Sequence, residues 1–207
     1  MTENKDGFEL GTRFEMGGIK WAIIQTAENS VKCIAAEIVE RRAFDEENKN
    51  DFSVSGVREY LNGDFLKKII RAGAPEEAFL PFKIDLTADD GLEDYGFDRV
   101  RVGLITCDEY RALRKNIPDV DGWWWTATPD SPINSFVRFV YSDGTLIYNN
   151  AYYGFGGVRP LCNLKSEILK SFLDGGSEER NAAVKMVRQL SDKWNISEEE
   201  IFGRDEK

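Results

Sequence analysis

Hydrophobic and polar residues alternate along several segments of this chain, with the period of two that is typical of β-strands. Residues 11–25 alternate on both sides of Gly17-Gly18, and this pattern predicts a first β-hairpin. Residues 31–39 are apolar enough to form a buried third strand. The charged residues 40–42 are expected to mark the exit from that strand.

Three consecutive tryptophans, Trp123, Trp124 and Trp125, follow Gly122. Successive side chains of an extended strand leave opposite faces, so Trp123 and Trp125 should share one face while Trp124 takes the other. Both faces of this strand must therefore be covered. We expect the three rings to belong to the core, with at most one of them exposed.

A second β-hairpin is predicted after the tryptophans. Residues 136–141 and 145–148 alternate, and Asp143-Gly144 between them tolerates the positive φ that a tight turn requires. Residues 156–161 are expected to return the chain against this hairpin. Arg159 in that segment is expected to bind a carboxylate or backbone carbonyls, because a guanidinium presents five donors in a fixed fork.

Helical spacing of apolar residues first occurs near the middle of the chain. A helix capped by Ser53 or Ser55 is predicted, and Asn62-Gly63 should end or bend it before a second short helix over residues 64–71. The apolar residues expected on one face of this segment are Val57, Tyr60, Leu61 and Phe65.

Two short strands are predicted next, over residues 83–86 and 101–105. A further helix over residues 109–115 should follow, with Thr106 or Asp108 as its N-cap. These elements alternate with the hairpins, so the fold class is expected to be α+β.

Beyond Asn163 the pattern becomes helical, over residues 165–173, 178–194 and 197–202. One apolar stripe of the longest segment consists of Val184, Val187, Leu190 and Trp194. Such a stripe packs onto its own domain or forms the seam of a homodimer, and both alternatives stay open. We expect a domain over residues 8–164 and a helical C-terminal extension over residues 165–207.

Three separated motifs resemble those of an uncharacterised bacterial and prophage domain family. The tryptophan run followed by Gly-Val-Arg-Pro at 157–160 resembles its C-terminal pattern. Residues 57–66 resemble its "LRxWLNxxF" helix, and residues 104–110 resemble its "fLLSxeEy" strand-to-helix step. The resemblance extends over roughly residues 8–164.

That family is similar to the C-type-lectin-like fold shared by formylglycine-generating enzymes and phage variable receptor-binding proteins. The resemblance implies an α+β C-type-lectin-like fold with mixed and antiparallel sheets and flanking helices. It also implies a prophage or mobile-element context. It implies a fold far more directly than an activity.

Composition narrows the class of partner. The chain has 207 residues, of which 42% are hydrophobic and 12% aromatic, so it can bury a sizeable core. The net charge of −10 argues against direct binding to nucleic acid or to anionic membranes, since both depend on Lys and Arg. The same charge is compatible with a basic protein surface as partner.

The cysteines and the N-terminus bear on the compartment. Cys33, Cys107 and Cys162 are odd in number and widely spaced, which predicts buried free thiols and not a disulfide framework. No apolar run is long enough to span a bilayer, and the N-terminal residues lack the apolar stretch of a signal peptide. We therefore expect a cytoplasmic protein.

The lack of histidine limits the possible chemistry. Neither a Ser-His-Asp arrangement nor a histidine zinc ligand can form, so we expect no catalytic residues, no metal and no cofactor. Two alternatives involve a metal ion. By resemblance to formylglycine-generating enzymes, Cys107 and Cys162 would bind copper in an oxidase-like enzyme. The acidic loop would hold Ca²⁺ through Asp89, Asp90, Glu93 and Asp94.

The best candidate for recognition is the segment between the last two predicted strands. Tyrosine supplies contact area and asparagine and glycine supply hydrogen bonds and backbone freedom, as in adaptable recognition loops. Arg138, on the alternating strand before it, is expected to face solvent and to be available to a partner. The alternative is that Tyr152 and Phe155 fold into the core beneath the loop. The candidate loop residues are Tyr148, Asn149, Asn150, Tyr152, Tyr153 and Phe155.

These features favour noncatalytic recognition of a macromolecular partner. One version is an inhibitor whose acidic surface occupies the basic channel of a host nucleic-acid-binding defence complex. A carbohydrate-binding or cell-surface receptor-binding module, of the lectin-like kind, is the second hypothesis. The copper enzyme is the third.

Overall fold

The computed structural model of the protein describes residues 7–173. The chain divides into two compact units, Met1–Ile168 and Leu169–Lys207, and every strand within residues 7–173 lies in the first. The helices predicted over residues 178–194 and 197–202 lie outside the described residues. The same holds for their apolar stripe and for the homodimer seam that it would form.

The first sheet contains six strands, and all of its pairings are antiparallel. The strands are β1 (Arg13–Met16), β2 (Ile19–Ala27), β3 (Ser30–Ala35), β5 (Phe79–Leu80), β8 (Val102–Gly103) and β13 (Leu161–Lys165). Their order is β1-β2-β3-β13-β5, and β8 also pairs with β13. The predicted first hairpin is confirmed, because Phe14 lies opposite Trp21 across a turn in which Gly17 and Gly18 have positive φ.

The second sheet contains five strands. They are β4 (Glu40–Arg42), β9 (Trp124–Pro129), β10 (Phe136–Val140), β11 (Leu146–Asn150) and β12 (Gly156–Val158). Their order is β11-β10-β9-β12-β4, in which β12 runs parallel to β9 and the other pairs are antiparallel. The second predicted hairpin is confirmed as β10 and β11. The charged residues 40–42 form a strand of this sheet, whereas the sequence suggested only a strand exit.

A separate two-stranded ribbon joins β6 (Phe82–Asp85) to β7 (Phe97–Val100), and it contains the strand predicted over residues 83–86. The strand expected over residues 101–105 is shorter, since only Val102 and Gly103 pair with β13. The part of the chain that the structure describes is therefore mixed α+β, with strands predominating and few helices.

Ser55 caps the first helix, because its hydroxyl accepts a hydrogen bond from the backbone N–H of Arg58 at 3.3 Å. Helix α1 (Gly56–Tyr60) continues through a π-helical turn over Leu61–Phe65 into α2 (Leu66–Arg71). Asn62-Gly63 therefore lies inside a widened turn and does not end the helix. The Asn62 amide donates to the Val102 carbonyl at 2.8 Å, which ties this turn to β8.

Helix α3 (Cys107–Leu113) begins with a reciprocal capping box between Thr106 and Glu109, as the sequence predicted for Thr106. Helix α4 (Ser166–Ser171) follows β13 directly. Short 3-10 turns occupy Phe52–Val54, Glu76–Ala78 and Arg114–Asn116. Over residues 7–173, no helix is both long enough and apolar enough to cross a membrane.

The three tryptophans alternate between the two faces of the strand, as predicted. The rings of Trp123 and Trp125 meet edge to face with centroids 4.8 Å apart, so they share one face of the second sheet. The ring of Trp124 faces the other way and meets Tyr110 at 5.7 Å. Trp124 and Trp125 are buried and Trp123 is half-buried, so both faces of the strand are covered.

The indole of Trp125 leaves no room for a side chain at Gly156 in β12. A Cβ at Gly156 would overlap the indole of Trp125, and this ring is fully buried with Phe44 at 6.0 Å. The indole cannot move away, because its N–H also donates to the Arg42 carbonyl at 3.1 Å.

We expect Gly156→Ala to lower the free energy of unfolding by about 1–3 kcal/mol, the usual cost of overfilling a packed core. Urea unfolding followed by tryptophan fluorescence measures the change. Gly154→Ala is the matched control, because nothing lies within 4 Å of a Cβ built there. Equal stability of the two variants would show that the indole of Trp125 can make room for a side chain at residue 156.

Candidate functional site

Five aromatic side chains form a continuous row on the second sheet, which we call the aromatic strip. Neighbouring ring centroids along the row are 6.4, 4.6, 5.9 and 5.8 Å apart. Exposure is 68% for Phe155, 45% for Tyr141 and 42% for Tyr153, whereas Trp123 is half-buried and Phe139 is buried. The strip therefore presents aromatic surface to solvent on a packed base. In order along the row, its residues are Tyr141, Phe139, Trp123, Tyr153 and Phe155.

Strand alternation positions one half of the strip. Phe139 and Tyr141 are two residues apart, so they leave the same face of the β10 segment. Phe139 lies opposite Trp125 in the register of β10 with β9, which places Trp123 on that face as well. The Tyr141 amide donates to the Thr145 carbonyl at 2.8 Å, so Tyr141 continues the hairpin ladder.

Hydrogen bonds to a distant segment fix the loop that supplies the other half. The Asp45 amide donates to the Ala151 carbonyl at 3.1 Å, and the Tyr152 amide donates to the Asn48 side chain at 3.3 Å. The Arg41 guanidinium donates to the Phe155 carbonyl at 3.2 Å. Tyr153 and Phe155 are therefore held on a loop whose backbone is tied at both ends.

A cleft of about 530 Å³ lies next to Arg41, the residue that donates to the Phe155 carbonyl. It is lined by Arg13 and by residues 36–41 and 119–121. Arg41 links the cleft to the strip through its bond to the Phe155 carbonyl, and its guanidinium fills the space where Gly122 would carry a Cβ. The volume lies in the range of about 300–1,000 Å³ that ligand pockets occupy.

Arg159 holds the two walls of the cleft in place. Its guanidinium donates to the carbonyls of Ala35 and Pro118, both at 3.1 Å, and these residues immediately precede the two wall segments. It also lies 4.6 Å from the centroid of the Trp124 ring. Burial lowers the pKa of Arg159 to about 10, against the opposing influence of Tyr110 and Asp119, and the side chain remains a cation at neutral pH. The prediction of carbonyl binding is confirmed.

Arg138 does not face solvent, contrary to the expectation from its alternating strand. Its side chain is only 15% exposed, and it pairs with Asp130 at 3.2 Å and with Asp89 at 3.4 Å. Asp89 belongs to a loop far away in the sequence, so strand alternation alone could not predict this burial. The availability of Arg138 to a partner is correspondingly reduced.

Tyr148 lies with Arg138 and apart from the strip. The two residues are opposite each other in the β10–β11 register, and the guanidinium is 5.8 Å from the Tyr148 ring centroid. Phe139 lies opposite Ile147, so Tyr148 and the strip occupy opposite faces of the second sheet. The predicted recognition residues therefore separate into two groups.

The remaining predicted residues lie around the loop. Asn149 and Asn150 are partly buried, and the Asn149 side chain accepts a hydrogen bond from the Asn150 amide at 2.9 Å. Tyr152 is 55% exposed. The alternative that Tyr152 and Phe155 fold into the core is wrong, because both rings are exposed.

Three members of the strip are not predicted from the sequence. Trp123 is expected in the core, and Phe139 and Tyr141 are not among the predicted site residues. The sequence does contain an indication: Trp123 is two residues before Trp125, and Phe139 is two residues before Tyr141. Strand alternation places the members of each pair on one face. Nothing in the local pattern indicates that Tyr153 packs on Trp123, because this contact joins segments that meet only in the folded chain.

All three cysteines are buried free thiols, as predicted. Cys162 lies opposite Cys33 in the register of β13 with β3, whereas Cys107 packs against Thr126 of the second sheet, with 3.7 Å between sulfur and hydroxyl. Burial raises the pKa of each thiol above its usual range. Thiolates, which nucleophilic attack and copper binding require, are disfavoured at all three positions.

The acidic loop forms ion pairs within the fold. Asp89 pairs with Arg111 at 2.9 Å as well as with Arg138, and Asp90 bonds to Ser131 and to the Leu92 amide. Across residues 7–173, no three acidic or cysteine side chains are grouped in a way that would hold a metal ion. The calcium alternative therefore gains no support from the geometry of this loop.

A family model described as a domain of unknown function, DUF6273, matches residues 76–166. No curated protein and no solved structure matches the chain. The matched segment contains the whole aromatic strip and the cleft wall at residues 119–121, and the other wall at residues 36–41 lies outside it. The similarity to an uncharacterised domain is thus supported over this segment.

We expect Cys33, Cys107 and Cys162 to resist a water-soluble thiol reagent at neutral pH in the folded protein. Desolvation raises the pKa of each group, and burial blocks access, so labelling should proceed only as fast as the chain opens. Absorbance of the released thiolate measures the rate. The same chain in denaturant should release three equivalents, and fast labelling of the folded protein would contradict the buried positions.

Proposed function

We propose that this protein is a noncatalytic binding protein that recognises a macromolecular partner, and that the aromatic strip is its contact surface. The observation that carries the proposal is the exposure of Tyr141, Tyr153 and Phe155 in one continuous row. Interfaces between proteins are enriched in such aromatic residues, whereas charged residues are depleted at their centres. A loop tied at both ends would present these rings with little loss of entropy.

The partner we propose is a protein with a basic surface. The net charge of −10 supports this choice, since charges of opposite sign steer association. A host nucleic-acid-binding defence complex inhibited through its basic channel is the specific version of this proposal. We further propose a C-type-lectin-like fold in a prophage or mobile-element context. The return of the last strand, β13, to the sheet of the first three strands supports that fold.

A carbohydrate-binding module is the second candidate. The cleft combines aspartates with arginines, and these planar polar side chains suit the hydroxyls of a sugar. Arg41 of the cleft also donates to the Phe155 carbonyl, and the exposed Phe155 ring suits the apolar face of a sugar. Binding to a glycan array without retention of any protein would favour this candidate. The copper enzyme has no comparable support, because the thiols of Cys107 and Cys162 are buried and protonated.

An affinity pull-down from host lysate, at low and at high salt, tests the proposal and supplies a partner for quantitative work. Charge steering predicts that retention weakens as salt rises. Retention of no protein at either salt concentration would contradict recognition of a protein partner.

We expect Tyr153→Ala to weaken binding of the purified partner by at least about tenfold, as truncation of a central aromatic contact does. Tyr148→Ala is the matched control, because Tyr148 is 50% exposed but lies on the opposite face of the sheet. Titration calorimetry measures both affinities, and unfolding curves check that both variants are folded. A loss confined to Tyr148→Ala would place recognition on the face of Arg138 instead.

A further inference from the structure

Cations of this chain cover aromatic rings at several places outside the strip. Within residues 7–173, five rings have an arginine or lysine charge within 5.8 Å of their centroids. None of these rings belongs to the aromatic strip. The pairs are Arg42 with Tyr60, Lys83 with Phe97, Arg114 with Tyr110, Arg138 with Tyr148, and Arg159 with Trp124.

The strip is therefore a set of aromatic rings that has no cation from the described part of the chain. Its three exposed rings have faces of negative potential, and these attract an ammonium or guanidinium group. A partner's cation would not have to displace one of this protein's own side chains from these rings. Tyr148, in contrast, already lies beside Arg138.

The cleft next to the strip contains unpaired carboxylates. Of the four that line it, Glu37 pairs with Lys20 at 3.0 Å and Glu40 bonds to the Tyr60 hydroxyl. Asp119 and Asp121 have no ion pair or side-chain hydrogen bond within residues 7–173, and Asp119 interacts with the buried Arg159 only as a nearby charge. The four carboxylates outnumber the two guanidiniums of the cleft, which belong to Arg13 and Arg41. The Arg41 guanidinium already donates to the Phe155 carbonyl.

We propose that the cleft and the strip together bind an extended protein segment in which an arginine or lysine lies next to apolar residues. The cation enters the cleft beside Asp119 and Asp121, and the apolar side chains pack on Tyr153 and Phe155. This inference rests on the proposed function and names the chemistry of its partner. The cleft volume of about 530 Å³ accommodates a long side chain together with the backbone that carries it.

The charge of the protein favours a basic segment over a second copy of this chain as the occupant. Two copies would each bring a net charge of −10, and each cleft would add two unpaired aspartates to the contact. Like charges facing each other across an interface oppose association. A basic segment instead neutralises the aspartates, and its apolar residues pack on rings that no cation from residues 7–173 covers.

Selection of random displayed peptides on the immobilised full chain tests the inference. We expect the bound peptides to be enriched in arginine or lysine beside an aromatic or aliphatic residue. A synthetic copy of one bound peptide is then compared with a copy in which norleucine replaces lysine or citrulline replaces arginine. Removing the charge should weaken binding by at least about tenfold.

Two variants of equal charge change locate the effect. The double variant Asp119→Asn with Asp121→Asn should weaken binding of the charged peptide by at least about tenfold and leave binding of the neutral peptide unchanged. Glu93→Gln with Asp94→Asn removes the same charge from an exposed loop outside the cleft and should have little effect. Equal loss in both variants would overturn the cleft as the cation site.

The outcomes separate this inference from the proposed function. Suppose that the selected peptides lack a cation and do not bind the Tyr153→Ala protein. That result would overturn the cation site and leave recognition by the strip intact. Failure to select any peptide, together with binding to a glycan array, would overturn both. Peptides that bind equally well to the Tyr153→Ala protein would place the contact away from the strip and also overturn the inference.

Discussion

The buried guanidinium of Arg159 is the interaction on which the site depends. It joins the end of β3 at Ala35, the loop at Pro118 and the ring of Trp124, so one side chain connects both sheets with the loop before the tryptophans. A buried cation is costly unless its donors are satisfied, and here two carbonyls and an aromatic face satisfy it. Its pKa stays near 10, well above neutral pH, so this connection persists. The segments that leave Ala35 and Pro118 become the cleft walls.

Packing around Trp125 sets the second constraint. Because Gly156 has no side chain, β12 can approach the indole closely, and Gly157 approaches the Trp123 backbone in the same way. The parallel pairing of β12 with β9 follows from this approach, and it fixes where the preceding loop must cross the sheet. Tyr153 and Phe155 therefore reach the face that Trp123 and Phe139 already occupy. The position of the strip thus follows from two glycines that contribute no surface to it.

Much of the fold could be predicted because its determinants are local. Alternation around Gly17-Gly18 and Asp143-Gly144 predicted both hairpins, and the hydroxyls of Ser55 and Thr106 predicted two helix starts. The site was less predictable, because its parts meet only through tertiary contacts. The cleft joins residues 36–41 to residues 119–121, and Arg138 is buried by Asp89 and Asp130. Composition predicted the loop tyrosines as candidates, but their division between two faces of the sheet could be seen only from the register of β11.

The strip differs from an ordinary exposed apolar patch because contacts within the fold hold both its base and its loop. Trp123 packs against Trp125 and Phe139. The loop of Tyr153 accepts hydrogen bonds from Asp45 and Arg41, and it donates one to the Asn48 side chain. A mobile aromatic loop would lose side-chain and backbone entropy on binding, and that loss would offset much of the contact energy. A loop already held in one conformation loses little. Its rings also have no cation from the described part of this chain, so a partner meets a surface that is both ordered and free of a competing cation.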